Sequence, residues 1–172
     1  RAFACDVSDS AAVAAVVARV RAELGAPAVL IHNAVAGGRA SFLDMDPALL
    51  ERGFQVNVMA LLHLARALAP DMIAAGSGAI IVTGNTSSQR GRAPFAGLAP
   101  TKAAQRILCE SMARELGPQG VHVAYVVIDA VIDVQWTRRA FAGKPDSFRT
   151  ASCSVMSFSS RTYLPRRRAK LP

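Results

Sequence analysis

AIIVTGNTSSQRGRAPFAGLAPTKAAQRILCESMARE, residues 79–115, decides how the rest of the chain is read. It opens with a mostly apolar run, Ala79 to Thr83, β-branched at Ile80, Ile81, Val82 and Thr83 and flanked by Gly78 and Gly84. That pattern predicts a buried strand. A hydroxyl cluster follows (Thr86, Ser87, Ser88), then a loop rich in Gly and Pro. A helix is predicted next, with Thr101 at its start and an apolar stripe at Ala104, Ile107, Leu108 and Met112. Two reactive groups, the Ser88 hydroxyl and the Lys102 ammonium, therefore fall at the carboxyl end of a central strand. In an open parallel sheet that is where ligands bind.

Working outward, Ala2–Val7 reads as a short strand, and Ser8-Asp9-Ser10 as the cap of an amphipathic helix from Ala11 to Leu24 that Gly25 and Pro27 end. Ala28–Ile31 reads as a second strand leading into His32-Asn33-Ala34. Asp46-Pro47 marks a helix start. The segment from Gln55 to Ala75 is apolar nearly all round and should be covered on more than one side. Val121–Ile128 is the last clear strand. Strands alternating with helices predict an α/β, doubly wound, Rossmann-like parallel sheet with right-handed crossovers.

At 172 residues and 52% hydrophobic content the chain has material for one domain with a real core. Its net charge of +8 is localised. Residues 1–133 hold 11 basic and 11 acidic residues, and residues 134–172 hold 9 basic residues against Asp146 alone. The folded part has no net basic character, which argues against a nucleic-acid surface. No apolar run free of charged or turn residues approaches the length of a membrane span, and no signal peptide is visible. Cys5, Cys109 and Cys153 have neither metal nor disulfide spacing. Cys5 and Cys109 read as buried small hydrophobes in a reducing compartment, the cytoplasm. Residues 1–136 form the expected domain. Residues 137–172, rich in Ser and Arg, lose periodicity and are expected to be poorly ordered; a shifted reading frame would give such a composition. The start at Arg1, directly in a strand-like segment, is expected to reflect missing upstream sequence.

Strand, serine, loop and a helix bearing lysine resemble the short-chain dehydrogenase/reductase family, whose pattern is Ser followed by Tyr-x-x-x-Lys. Ser88 and Lys102 match, while Leu98 stands where the tyrosine belongs. The resemblance covers Ala2 to about Trp136 and implies an NAD- or NADP-dependent oxidoreductase acting on a small carbonyl, alcohol or enoyl substrate. It implies that Ser88 polarises the substrate carbonyl, that Lys102 binds the nicotinamide ribose, and that Asn57 in FQVNVMA holds a water of the proton relay. Asp6-Val7 resembles the pair that meets the adenine, with a helix-capping Asp at a strand end as the plainer alternative. Asn33-Ala34 resembles the motif bracing the sheet beside the cofactor, with Val35 in place of its glycine, and Ile132 resembles the residue whose backbone meets the carboxamide. The first strand-turn-helix, with its glycine-rich pyrophosphate loop, does not occur in this sequence. That loss and Leu98 predict impaired activity. The family habit also implies a homodimer or homotetramer through the 55–75 and 101–116 helices. A non-catalytic nucleotide-binding or oligomerisation relative is the alternative.

Overall fold

The computed structural model describes residues 1–129, 135–140, 142 and 152–157. Asp9 opens helix α1 (Ser10–Leu24): its carboxylate accepts from the Ala11 and Ala12 amides at 2.8 and 3.2 Å. Gly25, at φ 87°, closes it. Strand β1 (Val29–His32) follows. Helix α2 (Pro47–Phe54) starts with Pro47 in its first turn and the Asp46 carboxylate accepting from the Ala48 amide. It runs through a π-helical turn at Gln55–Met59 into α3 (Ala60–Ala74). Strand β2 (Gly78–Gly84), a 3₁₀ turn (Thr86–Ser88), α4 (Ala99–Leu116), β3 (Val121–Asp129), α5 (Gln135–Ala140) and β4 (Ser152–Ser157) complete the described order.

The sheet order is β1-β2-β3-β4, with β1, β2 and β3 parallel and β4 antiparallel to β3. Register places Ile80 beside Leu30 and Val123, and Val82 beside His32 and Tyr125. Successive right-handed crossovers in one direction lay their helices on one face of the sheet. Accordingly α1 packs on α3, α3 on β1, β2 and α4, and α4 on β3. Leu61, Leu68, Met72, Ile80, Val82, Val121, Val123 and Tyr125 form the core between these layers. Each fully buried large side chain contributes about 1.5–3 kcal/mol. The stretch Pro47–Ala74 is long and apolar enough by composition to cross a membrane. Its apolar residues, among them Ala60, Leu61, Ala65 and Leu68, are nevertheless spent on this core.

Four expectations change. Ala2–Val7 forms no strand, because β1 is the sheet edge and residues 1–7 have no ladder partner among the described residues. Cys5 in that segment is accordingly half-buried rather than buried. Helix α4 begins at Ala99, since Pro100 suits a first helical turn. Its inward stripe is Thr101, Lys102, Gln105, Cys109 and Met112, with Ile107 half-exposed. Finally, Ser152–Ser157, within the stretch expected to be poorly ordered, pairs with β3 as a sheet strand. The other residues of 143–172 lie outside the described set.

Candidate functional site

The predicted reactive pair assembles at the carboxyl end of β2. Asn85, in extended conformation, caps the 3₁₀ turn by accepting from the Ser87 amide at 3.0 Å. The turn brings Ser88 down against α4. There its Oγ donates to the Asn85 carbonyl at 2.8 Å and its own carbonyl accepts from Arg106 Nε at 3.2 Å. Ser88 is buried, yet it lines a cleft of about 600 Å³.

Lys102 reaches the same strand end from the first turns of α4. It is 3% exposed, and its Nζ donates to the Thr83 carbonyl at 3.2 Å and to Gln105 Oε1 at 2.9 Å. Burial pulls its pKa down from the usual 10.5 to about 8. An ammonium has three protons, and these two bonds leave one for a ligand hydroxyl. Burial pushes Cys109 itself up to about 12, so it stays a thiol.

Asn57 sits in the π-turn, a geometry that opens the regular helical ladder. Its Nδ2 donates to the Ala36 carbonyl and to Thr101 Oγ1, both at 2.8 Å, and its Oδ1 accepts from the Ala36 amide at 2.9 Å. Its carbonyl accepts from Gln105 Nε2 at 2.6 Å. A continuous polar chain thus runs from Thr83 through Lys102, Gln105, Asn57 and Thr101 to the Leu98 carbonyl, which accepts from Thr101 Oγ1 at 2.9 Å. This chain answers the cost of burying an amide and an ammonium, and it leaves the Asn57 amide satisfied by protein groups.

The remaining predicted residues scatter. Asn33 stands beside the site, its Oδ1 accepting from Thr83 Oγ1 at 2.6 Å, and so braces the ends of β1 and β2. Asp6 lies exposed: it accepts from the Ser8 amide and hydroxyl at 2.9 and 2.7 Å and pairs with Arg52 at 3.7 Å. The Ser8 hydroxyl, first among these contacts, holds its carboxyl below the usual range. Val7 is half-buried beside it. Ile132 lies outside the described residues.

Gln105 was missed, and His32 and Tyr125, which the sequence leaves as structural residues, also lie close to Lys102. Gln105 follows Lys102 by one helical turn, so the spacing alone places it on the same face. His32 is 2% exposed, and its Nε2 has no hydrogen-bond partner among the described residues. Burial, with the Lys102 charge adding, lowers its pKa to about 4 and keeps it neutral. Tyr125 is fully buried, with its hydroxyl donating to the Lys102 carbonyl at 3.4 Å. Burial raises its pKa to about 12. Its ring slides diagonally under Gly84, where any Cβ would stand 2.0 Å from the phenol oxygen. The glycine two residues beyond Tyr125's register partner was the readable signal.

The structure thus places a serine hydroxyl and a buried lysine at one strand end of a Rossmann-like sheet. A short chain dehydrogenase model matches residues 1–143, and the chain belongs to that family. The chain is 29% identical over 134 residues to 7alpha-hydroxysteroid dehydrogenase of Escherichia coli (strain K12), covering 77% of this chain and 52% of that enzyme. A gluconate 5-dehydrogenase from Burkholderia cenocepacia J2315, solved in complex with NADP and tartrate, superposes with a TM-score of 0.74 at 28% identity. That superposition covers 82% of this chain and 55% of the other. A 7 alpha-hydroxysteroid dehydrogenase complexed with NADH and 7-oxo glycochenodeoxycholic acid superposes at 0.65 with 29% identity, covering 69% and 46%. The chain spans about half the length of the curated relatives it matches. These neighbours carry either NADP or NADH, which supports a nicotinamide cofactor.

Proposed function

We propose that the protein transfers hydride between NAD or NADP and a small carbonyl, alcohol or enoyl substrate. The single observation behind this reading is the convergence of the Ser88 hydroxyl and the Lys102 ammonium on one end of β2. The residues present fit the nicotinamide half of the cofactor: Lys102 has an uncommitted proton for a ribose hydroxyl, and Asn33 holds the adjoining strand ends together. The cofactor, when bound, supplies the hydride. Ser88 turns its hydroxyl from the Asn85 carbonyl to the substrate oxygen, polarising it. Low exposure keeps water away from both groups.

Leu98 supplies no proton, and the residue lies at the start of α4 with no side-chain hydrogen bond. Turnover is therefore impaired relative to a tyrosine-bearing member. The same observation favours a second reading, a non-catalytic nucleotide-binding or oligomerisation relative. Both are tested on the full-length protein with NADH and NADPH against a panel of carbonyl and enoyl compounds. Cofactor oxidation that collapses in Lys102→Met supports hydride transfer, and cofactor binding without turnover favours the second reading. Turnover unchanged in that variant removes Lys102 from the mechanism.

A further inference from the structure

The cleft that Ser88 helps to line has an uneven chemistry. Its walls include the rings of Phe42 and Phe95, and Arg39 stacks on Phe95 with its guanidinium 5.4 Å from the ring centre. Three arginines, Arg90, Arg92 and Arg106, line it, and none of its lining residues is acidic. Arg106 is engaged with the Ser88 carbonyl at 3.2 Å and with Glu110 at 3.5 Å. Arg90 and Arg92 form no ion pair among the described residues. Elsewhere Arg19 pairs with Glu23, Arg21 with Asp71, Arg52 with Asp6 and Arg114 with Glu110, while Arg39 and Arg66, like Arg90 and Arg92, form no ion pair among the described residues.

A lone arginine on a loop is ordinarily a solvated side chain. Here two lie four and two residues past Ser88, share one concavity with a third, and meet no carboxylate there. Like charges gathered around low-dielectric walls focus a positive potential, and a planar guanidinium fork matches an oxyanion. The aromatic side chains offer apolar surface next to that charge. The volume, about 600 Å³, suits a drug-sized molecule rather than a bare ion.

We propose that this cleft binds an oxyanion carried on an apolar body, with Arg90 and Arg92 gripping the anionic head and Phe42 and Phe95 holding the body toward Ser88. This rests on the reading of Ser88 as the substrate-facing hydroxyl, and it names the substrate class of that site: carboxylated or phosphorylated, with an aliphatic or alicyclic body. The selectivity comes from charge, so a neutral molecule of equal size gains only the apolar contribution.

Titration calorimetry on the full-length protein tests it with octanoate, octyl phosphate and neutral octanamide, none of which needs to be turned over. Octanoate or octyl phosphate should bind at least about tenfold more tightly than octanamide. That preference should fade as salt rises from about 0.05 to about 0.5 M. The Arg90→Ala/Arg92→Ala double variant, altered only at exposed side chains, should lose the preference and keep its octanamide affinity. Whichever anion binds more tightly assigns the head group as carboxylate or phosphate. Equal binding of all three compounds, no binding of any, or an unchanged preference in the double variant overturns the proposal. If the wild type oxidises no cofactor, or does so equally well as Lys102→Met, while arginine-dependent octanoate binding persists, the catalytic reading falls and the anion cleft stands.

Discussion

Lys102→Met separates the energetics of the buried ammonium from its role toward a cofactor. Methionine keeps an unbranched stem of similar length and removes the charge. In the wild type the amine titrates at about 8 instead of 10.5. At about 1.4 kcal/mol per pH unit, that depression is a cost of about 3 kcal/mol for holding the charged form in the fold. Against it stand two charge-assisted hydrogen bonds, to the Thr83 carbonyl and Gln105 Oε1, each contributing about 1.5–3 kcal/mol. At pH 7 the two effects nearly cancel, so the variant should fold with stability close to wild type. The pH dependence does not cancel. Between about 8 and 10.5 the unfolded chain holds a proton on Lys102 that the folded chain has released, so wild-type stability rises with pH through this window. Below about 8 both states are protonated and the gain is absent. The neutral amine still has two protons for the same two acceptors. Urea unfolding of both proteins at half-unit intervals from pH 7 to 11 should give a difference, wild type minus variant, that is flat below about 8. The difference should then climb by about 3 kcal/mol in total. The Cys109 thiol and the Tyr125 phenol are both pushed up to about 12, and removing the Lys102 charge only raises Cys109 further, so both stay protonated in the fold of either protein over most of this range and contribute little to the subtraction. Parallel stability curves refute the buried, desolvated lysine on which the site is built.

Gly84→Ala should lower stability by about 1–3 kcal/mol or more, because the new methyl falls 2.0 Å from the Tyr125 phenol with strand backbone on one side; thermal unfolding checks it, and an unchanged midpoint denies the close packing of ring on glycine. Leu98→Tyr places a phenol one helical turn before Lys102, and it should raise carbonyl reduction by about 10²–10⁴-fold if the absent acid limits turnover. A steady-state rate equal to wild type, with cofactor affinity preserved, shows that something other than the missing proton is limiting.

The elements most legible in the sequence were those whose local signals and packing agree. Val82 and its β-branched neighbours read as a buried strand, and Asp9 and Asp46 read as helix starts; each has its capping bond in the structure. Ser88 and Lys102 were legible as a pair because one strand end and one helix start fix them both. What failed depended on partners distant in sequence. Ala2–Val7 has strand composition, but a strand exists only through its ladder, and no described neighbour offers one. In α4 hydropathy favoured Ile107 for the interior. The structure instead buries Gln105, because the Asn57 carbonyl and the Lys102 ammonium give its amide both an acceptor and a donor. An apolar residue there would take a donor from the Asn57 carbonyl and one of two acceptors from the buried Lys102 ammonium, which costs more than exposing half of an isoleucine returns. Tyr125 shows the same dependence: alternation marks it as inward-facing, but Gly84, forty-one residues earlier, gives the ring the space in which its hydroxyl reaches the Lys102 carbonyl. The polar interior of this site is thus set by pairings between elements, and hydropathy along a single element is blind to them.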